Sequence, residues 1–361
     1  MFRPCRKGWI GVDLGPRTLA LAQAERAGAG VRIAASAVVR DPGGEGSTPD
    51  SGSGQRPWDA QDVRAALSLD PGFSGRRAAC VLPMQATDLS VLTLPPGGEA
   101  ERRAMIAHEL SSAFAGDQQQ REFDFWEPAA PAATADGAIE DNVNVLSVSR
   151  RVTRRAVRSL SGAGLRCDVM DGLPFALARA VDMAYPEPGH PIAAIDWGYG
   201  SGTFCVVSGG RPQFTRHLRT CAFGAVVDCV RQALSLSEDE AFSVLADYGL
   251  PGPGRREEMH REVQTAIREV TVPQLGELAE ELNRTISFVR MRYAAIVPQR
   301  VCLFGEGATV RNVAAHVSER IGLPAEVWRM PSSGRDKPSA PEELAPLLGA
   351  AVALSALAWS Q

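Results

Sequence analysis

Two stretches of the 361-residue sequence end an apolar run with an aspartate, Asp13 or Asp196, and continue into a glycine turn. Backbone N–H groups in such turns form concavities that hold phosphate oxygens. Mg²⁺ prefers one or two carboxylates together with substrate phosphate and water. The pair of turns therefore predicts a magnesium and polyphosphate site. Its predicted turn residues are Gly15, Arg17 and Thr18 after the first aspartate, and Gly198, Gly200, Ser201, Gly202 and Thr203 after the second.

A third glycine turn follows the apolar run Arg300–Phe304 and precedes a predicted helix at Thr309–Arg320. The absence of bulky side chains would let a nucleoside lie against the backbone, and a helix N-terminus favours anions. Its predicted nucleoside-binding residues are Gly305, Gly307 and Ala308. One Asp–x–Gly turn alone is ordinary turn chemistry. Three glycine turns in this order instead favour a nucleotide site.

Strands must position these turns. The first aspartate belongs to a predicted meander of strands at Trp9–Leu14, Thr18–Gln23 and Val31–Arg40. The same frame of apolar strand, aspartate, glycine turn and apolar strand restarts at Ile192, which predicts an internal duplication.

The sequence between the two copies alternates strand and helix patterns. Residues 84–171 are predicted to form a separate α/β subdomain. Segments 41–57 and 129–141 lack apolar periodicity and are predicted to be loops.

The three turns resemble those of the actin-like ATPases, most closely the PilM-like family of type IV pilus assembly, with GspL-like type II secretion relatives. Gly11–Gly15 is similar to the first phosphate loop, Asp196–Thr203 to the second, and Gly305–Ala308 to the adenosine loop. The resemblance implies an α/β, actin-like fold. This is a duplicated ribonuclease H-like fold with two halves around a nucleotide cleft and an inserted α/β subdomain.

The resemblance also implies how the chain is divided. Residues 1–83 and 172–189 would form the first half, 84–171 the insert, and 190–361 the second half. The final helix, at about 342–358, would cross back to the first half, so its apolar composition indicates core rather than membrane contact.

The function implied by the resemblance is that of a cytoplasmic scaffold in a pilus or secretion assembly, peripheral at the inner membrane. It would dock the cytoplasmic tail of a PilN-like inner-membrane protein. Other inner-membrane components and self-association are further implied partners. The implied cofactors are ATP and Mg²⁺, with Asp13 and Asp196 holding the ion through water. No catalytic residue is assigned, and the implied activity is at most slow ATP hydrolysis.

Several positions depart from the family pattern. Arg17 and Ala20 stand in a hairpin that usually carries serines and a lysine, although a guanidinium can bind phosphate by its fork. Phe242 and Leu245 replace a glutamate and a lysine near the nucleoside, and Glu306 interrupts the usual triple glycine. A nucleotide-free scaffold, or pseudo-ATPase, is therefore the alternative.

Five arginines occur at steps of one, three and four residues, so they share one stripe of a predicted helix. They are Arg150, Arg151, Arg154, Arg155 and Arg158. Such a stripe is either a solvated face or an acceptor for an acidic partner tail or anionic lipid, which basic clusters attract.

Charge and cysteine content exclude other classes. With 38 basic and 42 acidic residues, the chain lacks the basic field expected for nucleic-acid binding. Seven cysteines without a Cys-x-x-Cys pair do not predict a zinc site. Two alternatives to the scaffold remain: a small-molecule kinase of the sugar-kinase branch, which shares the phosphate hairpins, and a polymerising actin-like filament protein.

Overall fold

The structure is a computed structural model that describes residues 7–27, 30–41, 57–114, 120–128, 142–186, 189–253, 258–330 and 341–359. Of the two predicted loops, 129–141 lies wholly outside these residues and 41–57 almost wholly.

Thirteen strands are formed by the described residues. They are β1 (Ile10–Leu14), β2 (Thr18–Ala27), β3 (Gly30–Arg40), β4 (Arg77–Val81), β5 (Asp88–Thr93), β6 (Arg121–Trp126), β7 (Asn142–Ser149), β8 (Arg166–Asp171), β9 (Ile192–Trp197), β10 (Gly202–Ser208), β11 (Arg211–Leu218), β12 (Arg300–Phe304) and β13 (Ala325–Val327). The α-helices are α1 (Ala60–Ser68), α2 (Glu99–Ala113), α3 (Arg150–Gly162), α4 (Leu173–Ala184), α5 (Phe223–Leu234), α6 (Glu238–Asp247), α7 (Arg261–Arg292), α8 (Val313–Ile321) and α9 (Ala345–Ala356).

Two five-stranded sheets share one topology. The first has the order β3-β2-β1-β4-β8 and the second β11-β10-β9-β12-β13. In each, the leading three strands are antiparallel neighbours and the last two are added in parallel. Asp13 pairs with Ala20 in the first hairpin, and Asp196 pairs with Thr203 in the second. The predicted meander and the predicted internal duplication are confirmed.

A third, antiparallel sheet of order β5-β7-β6 forms the inserted subdomain, with a small apolar core that includes Ile106 of α2 and Val145 of β7. The prediction that this insert extends to residue 171 is wrong for β8, which pairs in parallel with β4 of the first sheet. Parallel neighbours require a long crossover. The insert interrupts that crossover, and α3 and β8 complete it by returning to the first sheet.

Helices α4 and α9 lie between the two large sheets in one shared apolar core. This core includes Ala20 of the first sheet, Cys205 of the second, and Leu348 and Val352 of α9. Helices α1 and α3 cover the other face of the first sheet, and α5 to α8 cover that of the second. The two halves are therefore joined by buried apolar contacts.

The segment Glu342–Trp359 has the length and apolar composition of a membrane-spanning helix. However, ten of the twelve residues of α9 are buried, and the helix packs against β1, β2, β4 and α4. Its apolar side chains serve the protein core.

Candidate functional site

The two hairpin turns meet at a small cavity of about 40 Å³ between the halves. Its apolar wall comes from α4 and α9, with Leu177 and Leu347 among the lining residues. The predicted site residues that line it are Asp13, Gly15, Thr18, Asp196, Gly198, Ser201, Thr203 and Gly305. The fold thus brings the core of the predicted site together from segments far apart in the sequence.

The third turn is packed against the second. A β-carbon on Gly307 would lie 2.2 Å from the Trp197 indole, and one on Gly305, where φ is +82°, would lie 2.6 Å from Asp196 Oδ1. Both glycines are therefore needed for close contact between parts of this chain. Predicted residues that do not line the cavity are Arg17, Gly200, Gly202, Gly307 and Ala308.

Two arginines of the first half contact α6 of the second half. Arg17 forms an ion pair with Glu238 and lies over the Tyr199 ring, 5.1 Å from its centroid. Arg40 lies 4.1 Å from the centroid of Phe242. Arg17 therefore has a carboxylate partner instead of the phosphate that the sequence predicts.

Glu306 is a cavity residue that the sequence analysis did not predict. Its side chain lines the cavity although the residue is only 5% exposed. Its Oε2 accepts a hydrogen bond of 3.2 Å from the backbone N–H of Tyr199 in the second hairpin turn. The interruption of the triple glycine was the sequence signal that marked this position.

Three carboxyl groups share the cavity, and burial raises the pKa of each of them. Burial, followed by the charges of Asp196 and Glu306, raises the pKa of Asp13 well above its usual range. Burial and the charge of Glu306 raise the pKa of Asp196 to about 7. Burial also raises the pKa of Glu306, although the nearby Thr18 hydroxyl opposes the rise. The charged forms are disfavoured because desolvation and like charges act in the same direction.

The residues of this cavity do not fit Mg-ATP. A ligand pocket has a volume of about 300–1,000 Å³, whereas this cavity has room for only a few water molecules. The Ser201 hydroxyl is hydrogen-bonded to His217 Nε2 at 2.7 Å.

The pKa of Asp196 gives a pH prediction for the metal-free chain. Unfolding shifts this pKa from about 7 to about 3.8. Between these values the folded chain binds more protons, so its free energy of unfolding falls as pH rises and the loss is complete above pH 7. A shift of this size corresponds to roughly 4 kcal/mol. Because Asp196 is only half-buried, we expect about half of this effect. As the pH rises from 4 to 8, the free energy of unfolding of Asp196→Asn should increase by about 2 kcal/mol relative to that of the wild type.

Urea unfolding at several pH values in EDTA measures this effect. Asp247→Asn is the control, because Asp247 is exposed and lies outside the cavity. Equal pH slopes for the wild type and Asp196→Asn would contradict the prediction.

The arginine stripe lies on α3, beside strand β6 of the insert. Arg150 pairs with Glu122 of β6 at 2.6 Å. The hydroxyl of Ser149, the N-cap residue, accepts a hydrogen bond from the backbone N–H of Arg151. Helix α3 itself contains no acidic residue. An open groove of about 400 Å³ is lined by Gln120, Arg150, Arg151, Arg154 and Arg158. Arg155 is half-buried and does not line the groove.

Comparison with known proteins identifies solved structures that have a similar fold. No family model and no curated protein matches the sequence. A solved PilM–PilN type IV pilus biogenesis complex matches with a TM-score of 0.72 at 20% identity, covering 98% of this chain and 99% of the other. The chain has the fold of PilM. The fold class predicted from the sequence, an actin-like α/β fold, is confirmed.

Other solved structures are less similar to this chain. The ethanolamine utilization protein EutJ of Carboxydothermus hydrogenoformans matches with a TM-score of 0.55 at 16% identity, covering 98% of this chain and 90% of its own. The cytoplasmic domain of EpsL, an inner membrane component of the type II secretion system of Vibrio cholerae, has a TM-score of 0.38 at 15% identity. That match covers 60% of this chain and 74% of the EpsL domain.

Proposed function

We propose that this chain is a PilM-like scaffold of a type IV pilus or type II secretion assembly. It would lie on the cytoplasmic face of the inner membrane and bind the cytoplasmic tail of a PilN-like protein. The observation that carries the proposal is the match to the PilM–PilN complex over 98% of this chain and 99% of the other. With β8 assigned to the first half, the division into two halves and an insert belongs to the same proposal.

The proposed docking surface for the tail is the groove along α3. Its exposed arginines, including Arg154 and Arg158, attract an acidic segment, and Gln120, which precedes β6, lines the groove beside them. Charge complementarity between an arginine-rich groove and an acidic tail favours both the encounter rate and the orientation of the partner. The tail would thus contact the first half and the insert together.

In this proposal the scaffold works without nucleotide turnover. The support is the small volume of the cavity, about 40 Å³, which is lined by Asp13, Asp196 and Glu306. Other inner-membrane components of the assembly would join through the PilN-like protein, and self-association would use a different surface.

The test is binding of a fluorescent peptide, the cytoplasmic N-terminal tail of the PilN-like protein from the same organism, to the full chain. We expect saturable binding by anisotropy. Arg154→Glu/Arg158→Glu should weaken this binding at least tenfold, which is about 1.4 kcal/mol. The matched control is Arg268→Glu/Arg290→Glu on α7, which makes the same charge change at exposed positions and should bind like the wild type.

Absence of peptide binding by the wild type would overturn the scaffold proposal. Equal weakening by the α7 control would mean that net charge, rather than the groove, attracts the tail. Binding of the wild type to anionic vesicles, lost in the α3 variant while peptide binding persists, would assign the groove to lipid. Phosphorylation of a sugar or nucleotide-dependent sedimentation would favour the kinase or the filament.

A further inference from the structure

The turns after β1 and β9 present donors to a common point inside the closed cleft. The buried Thr18 hydroxyl comes from the first turn and the Tyr199 N–H from the second. Hydroxyl and backbone N–H donors that converge in this way form an anion-binding concavity. This geometry requires an acceptor at the point where the two turns meet.

The carboxylate of Glu306 stands at that point. Its Oε2 lies 3.2 Å from the Tyr199 nitrogen and would lie 3.7 Å from a β-carbon on Gly198. The Thr18 hydroxyl has no hydrogen bond of standard geometry among the described residues, yet it lies close enough to Glu306 to lower the pKa of that carboxyl. One side chain from the third turn thus faces both hairpins.

A positively charged side chain of the first half, Arg40, also acts on the Glu306 carboxyl group. The Arg40 guanidinium also lowers the pKa of Glu306, and Arg40 is itself held over Phe242 of α6. Arg17, the other arginine that reaches α6, pairs with Glu238. A buried carboxylate is costly unless hydrogen-bond donors and a cation compensate it. The Tyr199 N–H and Arg40 reduce this cost, although burial still raises the pKa of Glu306.

We propose that the Glu306 side chain occupies the anion position between the two hairpin turns, so that the chain closes its own cleft and excludes phosphate ligands. Glu306 is a positioning residue that holds the second hairpin turn through the Tyr199 N–H and faces Thr18 of the first half. The proposal does not depend on the scaffold function, because it concerns the cleft and not the α3 groove.

The test combines hydrogen exchange with pyrophosphate binding on the full chain. In Glu306→Ala, the Tyr199 amide should exchange at least tenfold faster than in the wild type, because its acceptor is lost. Calorimetry with pyrophosphate should show saturable binding to Glu306→Ala and none to the wild type at 1 mM. Glu306→Gln keeps the side-chain volume and an acceptor oxygen, so its amide exchange should stay like that of the wild type.

Two results would overturn the proposal. One is saturable pyrophosphate binding by the wild type as tight as that of Glu306→Ala, which would mean that the anion position is vacant. The other is unchanged exchange around Tyr199 in Glu306→Ala. If Glu306→Ala fails to fold, Glu306→Ser decides alone. It removes the carboxyl group and part of the side-chain volume, so it should bind pyrophosphate saturably at 1 mM, and absence of binding would overturn the proposal.

Discussion

Gly11→Ala is expected to lower the free energy of unfolding by about 3 kcal/mol, because β1 and α9 are in backbone contact at this residue. A β-carbon on Gly11 would lie 1.8 Å from the carbonyl oxygen of Ala351 and 3.0 Å from the nitrogen of Ser355. These are backbone atoms in the middle of a buried helix, so no side-chain rotation relieves the overlap. The helix must move away from β1 and β2, and close packing in the shared core is lost.

Urea unfolding followed by tryptophan fluorescence measures this loss as a shift of the midpoint at constant slope. The matched control is Gly276→Ala in α7, where a β-carbon would meet no atom within 4 Å. That substitution should raise stability by up to about 1 kcal/mol, since alanine is the better helix former. Equal midpoints for Gly11→Ala and the wild type would show that α9 does not pack on β1 as described.

Trp328→Ala should lower the free energy of unfolding by about 4 kcal/mol, as is usual when a fully buried aromatic side chain is truncated. The Trp328 indole follows β13 of the second half, is completely buried, and stacks on Phe304 with ring centroids 5.9 Å apart. Its Nε1–H donates a hydrogen bond of 2.7 Å to the carbonyl oxygen of Ala180 in α4. The side chain therefore ties the second sheet to the helix that lies between the halves.

A series at this position separates packing from hydrogen bonding. Trp328→Phe keeps an aromatic ring but removes the Nε1–H donor. We therefore expect its free energy of unfolding to be about 1–2 kcal/mol below that of the wild type. The control Leu69→Ala removes an apolar side chain that is 63% exposed and should change stability by less than about 0.5 kcal/mol. If Trp328→Ala cost no more than Trp328→Phe, packing of the indole would contribute nothing.

The strands and turns of the site were predictable because they depend on local chemistry. Apolar residues at Ile10–Leu14 and Ile192–Trp197 end in an aspartate and a glycine turn, and strand formation responds to such short-range patterns. The repeated frame predicted the duplicated sheets for the same reason. Strand β8 was misassigned because its partner β4 lies far away in the sequence, with the whole insert between them.

The sequence by itself determined the hairpins, the duplication and the eight predicted residues that line the cavity, since strand periodicity and turn composition act between neighbours. Only the tertiary structure decided which side chains meet in the cleft between the two halves. Arg17 of the first half and Glu238 of the second are 221 positions apart. Within the second half, Tyr199 and Glu306 are 107 positions apart. No local pattern carries the position of one half relative to the other. That relative position is set by the buried packing of α4 and α9 between the sheets, and it is this packing that brings a carboxylate between the two turns.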